Sequence, residues 1–235
     1  MSSHLVSLSF DAKDPVNLAR FWAGVLRREV AADGTTILPA EGTGFPIRFL
    51  SSTAEKTGPN QMHFDLTSQS PEEQDATVAR ALELGGRHLD IGQGPDETHV
   101  VMADPEGNEL CVIAAGNNFL AGTAAIGALS SDGTQAVGYF WSKALGWPLV
   151  WDQDEETAIQ SPAGGSKISW GGPPVNPKTG KNRLRLDLAA DGDRDAELDR
   201  LISLGAKRLD NGSQDGEWIE LVDPDGNEFN LSERG

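Results

Sequence analysis

His63 and Asp65 stand two positions apart in QMHFDLTS, and Arg185 and Asp187 repeat that spacing in LRLDL. In a β-strand, side chains two apart share a face, so each pair projects opposite the apolar residues between and beside them. An imidazole beside a carboxylate can move protons or hold a metal ion. A guanidinium does neither: it is permanently charged, has no lone pair, and suits recognition of a carboxylate, carbonyl or phenolate. The same alternation pairs Trp218 with Glu220 in WIELV, Glu109 with Cys111 in NELCV, Glu228 with Asn230 in NEFNL, Ser7 with Ser9 in LVSLSF, and His99 with Val101 in HVVMA. His63 and Glu220 are the candidate catalytic acid–base groups, and His63 is also the first choice of metal ligand. Ser7, Asp65, His99, Cys111, Arg185, Asp187, Trp218 and Asn230 form a candidate ligand-binding set. Trp147, Trp151, Trp170 and Trp218 all fall in strand regions of the second half, where indoles could line a pocket for a flat aromatic molecule.

Each choice has a plainer counterpart. His63 could be a cavity histidine with a satisfied hydrogen bond, and Cys111 a small buried apolar residue. Trp22 and Trp141 sit at helical core spacing. The acidic run DQDEE, Asp152 to Glu156, reads as a solvated hairpin tip, and His4 and His88 as strand-end or surface residues.

The elements that must position these groups are written twice. DPEGNEL, from Asp104, returns as DPDGNEF, from Asp223, and LARFWAGVL, from Leu18, has a counterpart in VGYFWSKAL, from Val137. Both anchors recur at the same offset, 223 − 104 = 119 and 140 − 21 = 119, while MHFDL and LRLDL differ by 122 and ALELGGRHLD and RLISLGAKRLD by 120. Near-constant offsets point to duplication with small loop changes, giving domains over 1–116 and 123–235 joined through Gly116 to Gly122. Within the first copy, LVSLSF is an alternating strand. DPVNLARFWAGVLRR is a helix with Asp14 as N-cap and Pro15 at its first position. Short strands are predicted near Thr36–Pro39 and Pro46–Ser51. The plan then recurs as a strand at QMHFDLTS, a helix from Pro71 to Leu84 stopped at Gly85 and Gly86, and strands at HVVMA and NELCVI joined by DPEG. DGDRDAELDR opens the corresponding helix in the second copy.

Composition narrows the function classes. The 235 residues are 38 % hydrophobic and 23 % charged, which suits soluble folded domains. A net charge of −17, from 36 acidic and 19 basic residues, repels nucleic acid and anionic lipid, so neither is expected as a partner. One cysteine cannot make an internal disulfide, and MSSHLVSLSF lacks the features of a signal peptide, so a cytoplasmic location is expected. No apolar run approaches the ~18 residues of a membrane span.

Four strand–helix–strands modules, helices carrying FW, a strand with HFD and terminal DPxGNE hairpins resemble the vicinal oxygen chelate superfamily. The resemblance is to its glyoxalase-like branch, alongside bleomycin-resistance proteins and extradiol dioxygenases. It implies an α+β fold: four βαβββ modules forming two tandem glyoxalase-like domains, with curved mixed sheets around a cavity and helices outside. Metal-dependent members hold a divalent ion through His, Gln and Glu on equivalent strands, where it polarises substrate oxygens. Carried over by position, those ligand sites fall on Ser7, His63, Cys111, Arg185 and Asn230, with Ile126 near the counterpart of Ser7; His63 alone fits. No tightly bound cofactor is therefore expected, with a divalent metal at His63 as the alternative. The reading that follows is a small-molecule binding protein for a hydrophobic or aromatic ligand, serving sequestration or resistance, as a monomeric pseudo-dimer or a homodimer. The other reading is a lyase, isomerase or dioxygenase with a degenerate metal site.

Overall fold

The computed structural model describes residues 3–40, 44–94, 96–209 and 217–233. Asp210, at the end of one repeat anchor, lies outside them. The first module runs β1 (Ser3–Ala12), α1 (Pro15–Leu26), β2 (Thr36–Ile37) and β3 (Ile47–Ser51), with a single bridge from Val30 to Ile37 standing for its remaining strand. The second has β4 (Met62–Leu66), α2 (Pro71–Glu83), β5 (Arg87–His88), β6 (Val100–Ala103) and β7 (Glu109–Val112). The third comprises β8 (Ile126–Ser131), α3 (Gln135–Leu145), β9 (Leu149–Gln153), β10 (Glu156–Gln160) and β11 (Lys167–Trp170). The fourth comprises β12 (Leu184–Ala190), α4 (Arg194–Leu204), β13 (Lys207–Arg208), β14 (Trp218–Val222) and β15 (Glu228–Ser232).

The modules pair across the two repeats. One sheet has the order β13-β14-β15-β12-β1-β3-β2, joining the fourth module to the first; the other, β5-β6-β7-β4-β8-β11-β10-β9, joins the second to the third. We call them the outer and inner sheets. In each, two first strands meet antiparallel at the centre, β1 with β12 and β4 with β8, and parallel pairs flank them, so both sheets are mixed. The duplication thus yields two equivalent sheets, each completed by both repeats.

Local chemistry explains the elements. Asp14 caps α1 by accepting the Asn17 N–H, with Pro15 where no N–H partner is needed. Leu18, Phe21, Trp22, Val25 and Leu26 form the buried stripe of that helix. The repeated turn has a structural purpose. Asp104 Oδ1 accepts the N–H groups of Glu106 and Asn108, and Oδ2 accepts Trp22 Nε1 at 3.1 Å. Asp223 does the same for Asp225, Asn227 and Trp141 Nε1, at 3.0 Å for the indole. Gly107 and Gly226, both at φ 87°, close these turns in a backbone region that L-residues with a Cβ avoid. The helical FW and the DPxGN turn of each repeat are therefore bonded partners. A single apolar core runs through the molecule; Phe10 of β1 meets Phe64 of β4 at 6.3 Å, and Trp22 meets Phe64 at 4.8 Å. The tip of the acidic hairpin is Asp154 and Glu155, both at positive φ between β9 and β10.

The linker departs from its reading as a mere boundary. Leu120 is buried, and Phe119 packs edge-on against Trp151 at 6.0 Å, with Lys167 Nζ 4.7 Å from the Phe119 ring and donating to its carbonyl.

Candidate functional site

The polar face of the inner sheet floors a cavity of 670 Å³. His63 on β4, Cys111 on β7 and Ser130 on β8 lie on that floor, because strand alternation sends Phe64, Leu66, Leu110 and Val112 into the core. Phe119, Trp151 and Trp170 contribute aromatic wall, and Ile91 reaches it while largely exposed. Phe119, from the linker, was not a sequence candidate; its signal is the apolar pair Phe119–Leu120 in an otherwise small and polar segment. Ser130 was also missed; alternation in IGALSS sets it on the face opposite Leu129, but register alone brings it to His63.

His63 Nε2 lies 3.3 Å from Asp65 Oδ1, and Ser130 Oγ donates to Asp65 Oδ2. Among the described residues, His63, Asp65 and Cys111 are a group whose donor atoms all lie within 4.8 Å of one another, close enough to share a metal ion. Burial alone would lower the His63 pKa, but hydrogen bonds and charge interaction with Asp65 and Cys111 outweigh it and raise the ring to about 10. At neutral pH His63 is therefore an imidazolium, with 31 % of its side chain accessible.

The outer sheet is built on the same plan and filled differently. Asp187, fully buried, accepts from Ser7 Oγ and Ser9 Oγ at 2.6 Å and from Asn230 Nδ2 at 2.7 Å. Arg185 pairs with neither Asp187, its neighbour on the strand face, nor Glu220. Its guanidinium bonds Asp11 Oδ1 at 2.6 Å and the Asn182 carbonyl at 2.7 Å, and it does not line the inner-sheet cavity. β1 brings Asp11 to it from the other repeat, a pairing that local spacing cannot reveal. A second, more polar hollow of 500 Å³ lies on this sheet, where Ser7, Arg48 and Trp218 meet; Arg48 sits 5.6 Å from the Trp218 ring centroid and 3.9 Å from Asp187. Glu220, 3.5 Å from Lys181, belongs to the outer sheet, so the two catalytic candidates His63 and Glu220 stand on different sheets. His99 precedes β6, beside Gln93 and Glu97, away from the cavity lining. Trp147 packs against the core, so of the four indoles two line the inner cavity and one the outer. Register also corrects the counterpart of Ser7: Ala128 faces Asp65 as Ser7 faces Asp187, while Ile126 is core.

A family model described as glyoxalase-like domain matches the chain twice, over residues 7–113 and 128–232. The chain belongs to that family. It is thereby a member of the vicinal oxygen chelate superfamily. Glyoxalase I from Zea mays is similar in structure at 13 % identity and a TM-score of 0.63, covering 99 % of this chain and 92 % of that one. A putative dioxygenase from Bacillus subtilis subsp. subtilis str. 168 is similar at 16 % identity and a TM-score of 0.59, covering 98 % and 84 %. At these identities the likeness is one of fold. No curated protein matches the chain. Among the described residues, no helix is long and apolar enough to cross a membrane.

This glyoxalase-like chain meets the family's metal chemistry unevenly. On the outer sheet, Ser7, Arg185 and Asn230 are committed to internal bonds and Arg185 has no lone pair, so those residues do not fit an ion. On the inner sheet, imidazole, carboxylate and thiol form a compact mixed donor set of the kind zinc accepts.

Proposed function

We propose that this protein binds a flat hydrophobic or aromatic small molecule carrying an acidic oxygen, in the cavity of the inner sheet, as a sequestering protein of the glyoxalase/bleomycin-resistance type. The reading rests on one observation: of two equivalent sheets, the inner presents His63, Ser130 and Cys111 to an aromatic-walled space, whereas the outer closes Asp187 and Arg185 with internal bonds. Trp151, Trp170 and Phe119 supply ring surface, and the His63 imidazolium supplies a donor for a carboxylate or phenolate oxygen. Calorimetric titration with 2-naphthoate tests this. Binding should weaken about tenfold or more in His63→Gln and in Trp151→Ala, the loss that ~1.4 kcal/mol produces, and be unchanged in Trp218→Phe on the outer sheet. Equal loss in all three, or no binding to the wild type, rejects the assignment.

A second reading is favoured by the donor cluster: a metal-dependent lyase, isomerase or dioxygenase in which His63, Asp65 and Cys111 hold a divalent ion. The ion would supply Lewis-acid polarisation of a substrate oxygen, and the aromatic wall would orient the substrate. One equivalent of Zn²⁺, Ni²⁺, Fe²⁺ or Mn²⁺ bound tightly by the wild type and lost in His63→Ala would support it; absence of uptake would reject it.

A further inference from the structure

Cys111 is the chain's single thiol, and ring binding gives it no work. It stands on β7 beside β4, in register with Asp65, and Sγ lies within 4.8 Å of a His63 ring nitrogen and an Asp65 carboxylate oxygen. Ser130 bonds Asp65 from the other side. A thiol, an imidazolium to hold the sulfur as thiolate and a carboxylate to fix the ring are the parts of an activated sulfur nucleophile. The outer sheet supplies the internal comparison. There the carboxylate and its serine persist as Asp187 and Ser9, but Arg185 and Asn230 occupy the places of His63 and Cys111. Imidazole ring and thiol occur together on the inner sheet alone, under the aromatic wall.

The geometry points to Cys111 as a nucleophile that captures soft aromatic electrophiles, molecules with an α,β-unsaturated carbonyl beside a ring. The inference rests on the ring-binding reading of this cavity and adds a covalent step to it. The thiol proton leaves to solvent, and Sγ, held as the thiolate beside the His63 imidazolium, forms a bond to the β-carbon. The π pair of the carbon–carbon double bond moves onto the α-carbon and carbonyl oxygen as an enolate. His63 then gives its ring proton to the α-carbon and regains one from solvent. The product is a neutral thioether; nothing leaves, and no oxidant or reductant takes part. Because the adduct remains on the chain, the activity is capture of one molecule per site.

With one cysteine, intact mass reports the adduct without ambiguity. The probe is N-phenylmaleimide. Native Cys111 should react about tenfold or more faster than the same chain unfolded in guanidinium, as expected where an adjacent imidazolium favours the thiolate. Cys111→Ser should give no adduct. His63→Gln should fall to or below the unfolded rate, and Asp65→Asn, a second variant that spares the ring, should fall severalfold; both are read only on samples whose circular dichroism is native. A native rate no greater than the unfolded one, or a folded His63→Gln as fast as the wild type, overturns the proposal. 2-Naphthoate, which has no electrophilic carbon, separates the two readings. Naphthoate binding without accelerated alkylation removes the thiol inference alone. Accelerated alkylation without naphthoate binding removes the acidic-aromatic assignment alone, and failure of both removes both.

Discussion

At the scale of single residues, two substitutions between equivalent positions separate the sheets: histidine against arginine, and cysteine against asparagine. Arg185 finds Asp11 and becomes part of the interior, while His63 stays at a cavity floor with its proton held by Asp65. The folded ring titrates near 10 against an ordinary 6.5, so its stabilising contribution is complete below about pH 6.5 and is lost as pH rises through about 10. An ion at His63 must displace this proton. Apparent Zn²⁺ affinity, measured by chelator competition from pH 6 to 8.5, should therefore rise by about tenfold per pH unit or more, one proton leaving His63 and another leaving the Cys111 thiol where it binds. A flat profile would mean that His63 is not a ligand. Alternation alone places His63, Asp65 and Cys111 on one face, because the period of a strand is fixed by backbone geometry. Which charges meet across strands is not legible that way, since register and strand order are long-range properties; hence the partner of Arg185 goes unforeseen.

Elements are more legible than contacts. Caps, proline at helix starts, alternating strands and glycine turns are local signals, and the helices and strands fall within a few residues of where those signals place them. The first module's missing strand is an exception: residues around Val30 make one bridge to Ile37 and no ladder. Two features with no obvious chemistry in the sequence, the helical tryptophan and the DPxGN aspartate, prove to tie helix to hairpin in each repeat. Burial pushes the Asp223 carboxyl up to about 6, against the pull of bonds from Asn227 N–H and Trp141 Nε1. With a folded pKa above its ordinary 3.8, this group favours the fold most at low pH and costs stability increasingly as pH rises from about 4 to 6. Trp141→Phe removes a donor from the buried carboxylate, which should destabilise by about 1–3 kcal/mol at pH 7.5. At pH 4.5, where Asp223 is largely protonated, the loss should be smaller. Urea unfolding of wild type and variant at the two pH values checks this, and equal or reversed losses would contradict the role given to the indole.

At the scale of the whole molecule, duplication is readable from offsets, but the way the copies combine is not. Each repeat contributes half of both sheets. The central strands β1 and β4 find their antiparallel neighbours, β12 and β8, in the other repeat, through seven and five paired positions respectively. We propose 1–116 and 123–235 as the two domains, on the strength of repeat anchors and of core contacts within the first copy such as Phe10 to Phe64. Separated, a domain would expose one long edge on each of two sheets, with unpaired N–H and C=O groups along β1 and β4. Because the repeats are built alike, a second copy of the same domain offers nearly the right partner for both edges at once. The fragment 1–116 should therefore form a dimer that rebuilds two mixed sheets, with His63 and Cys111 on one face of each. Sedimentation equilibrium over micromolar concentrations should return twice the fragment mass, and dilution should cost thermal stability, as it does wherever folding depends on association. A fragment that stays monomeric with a concentration-independent, native-like melting transition would show that the edges do not need each other, and the exchange of modules would then be a consequence of linkage in one chain.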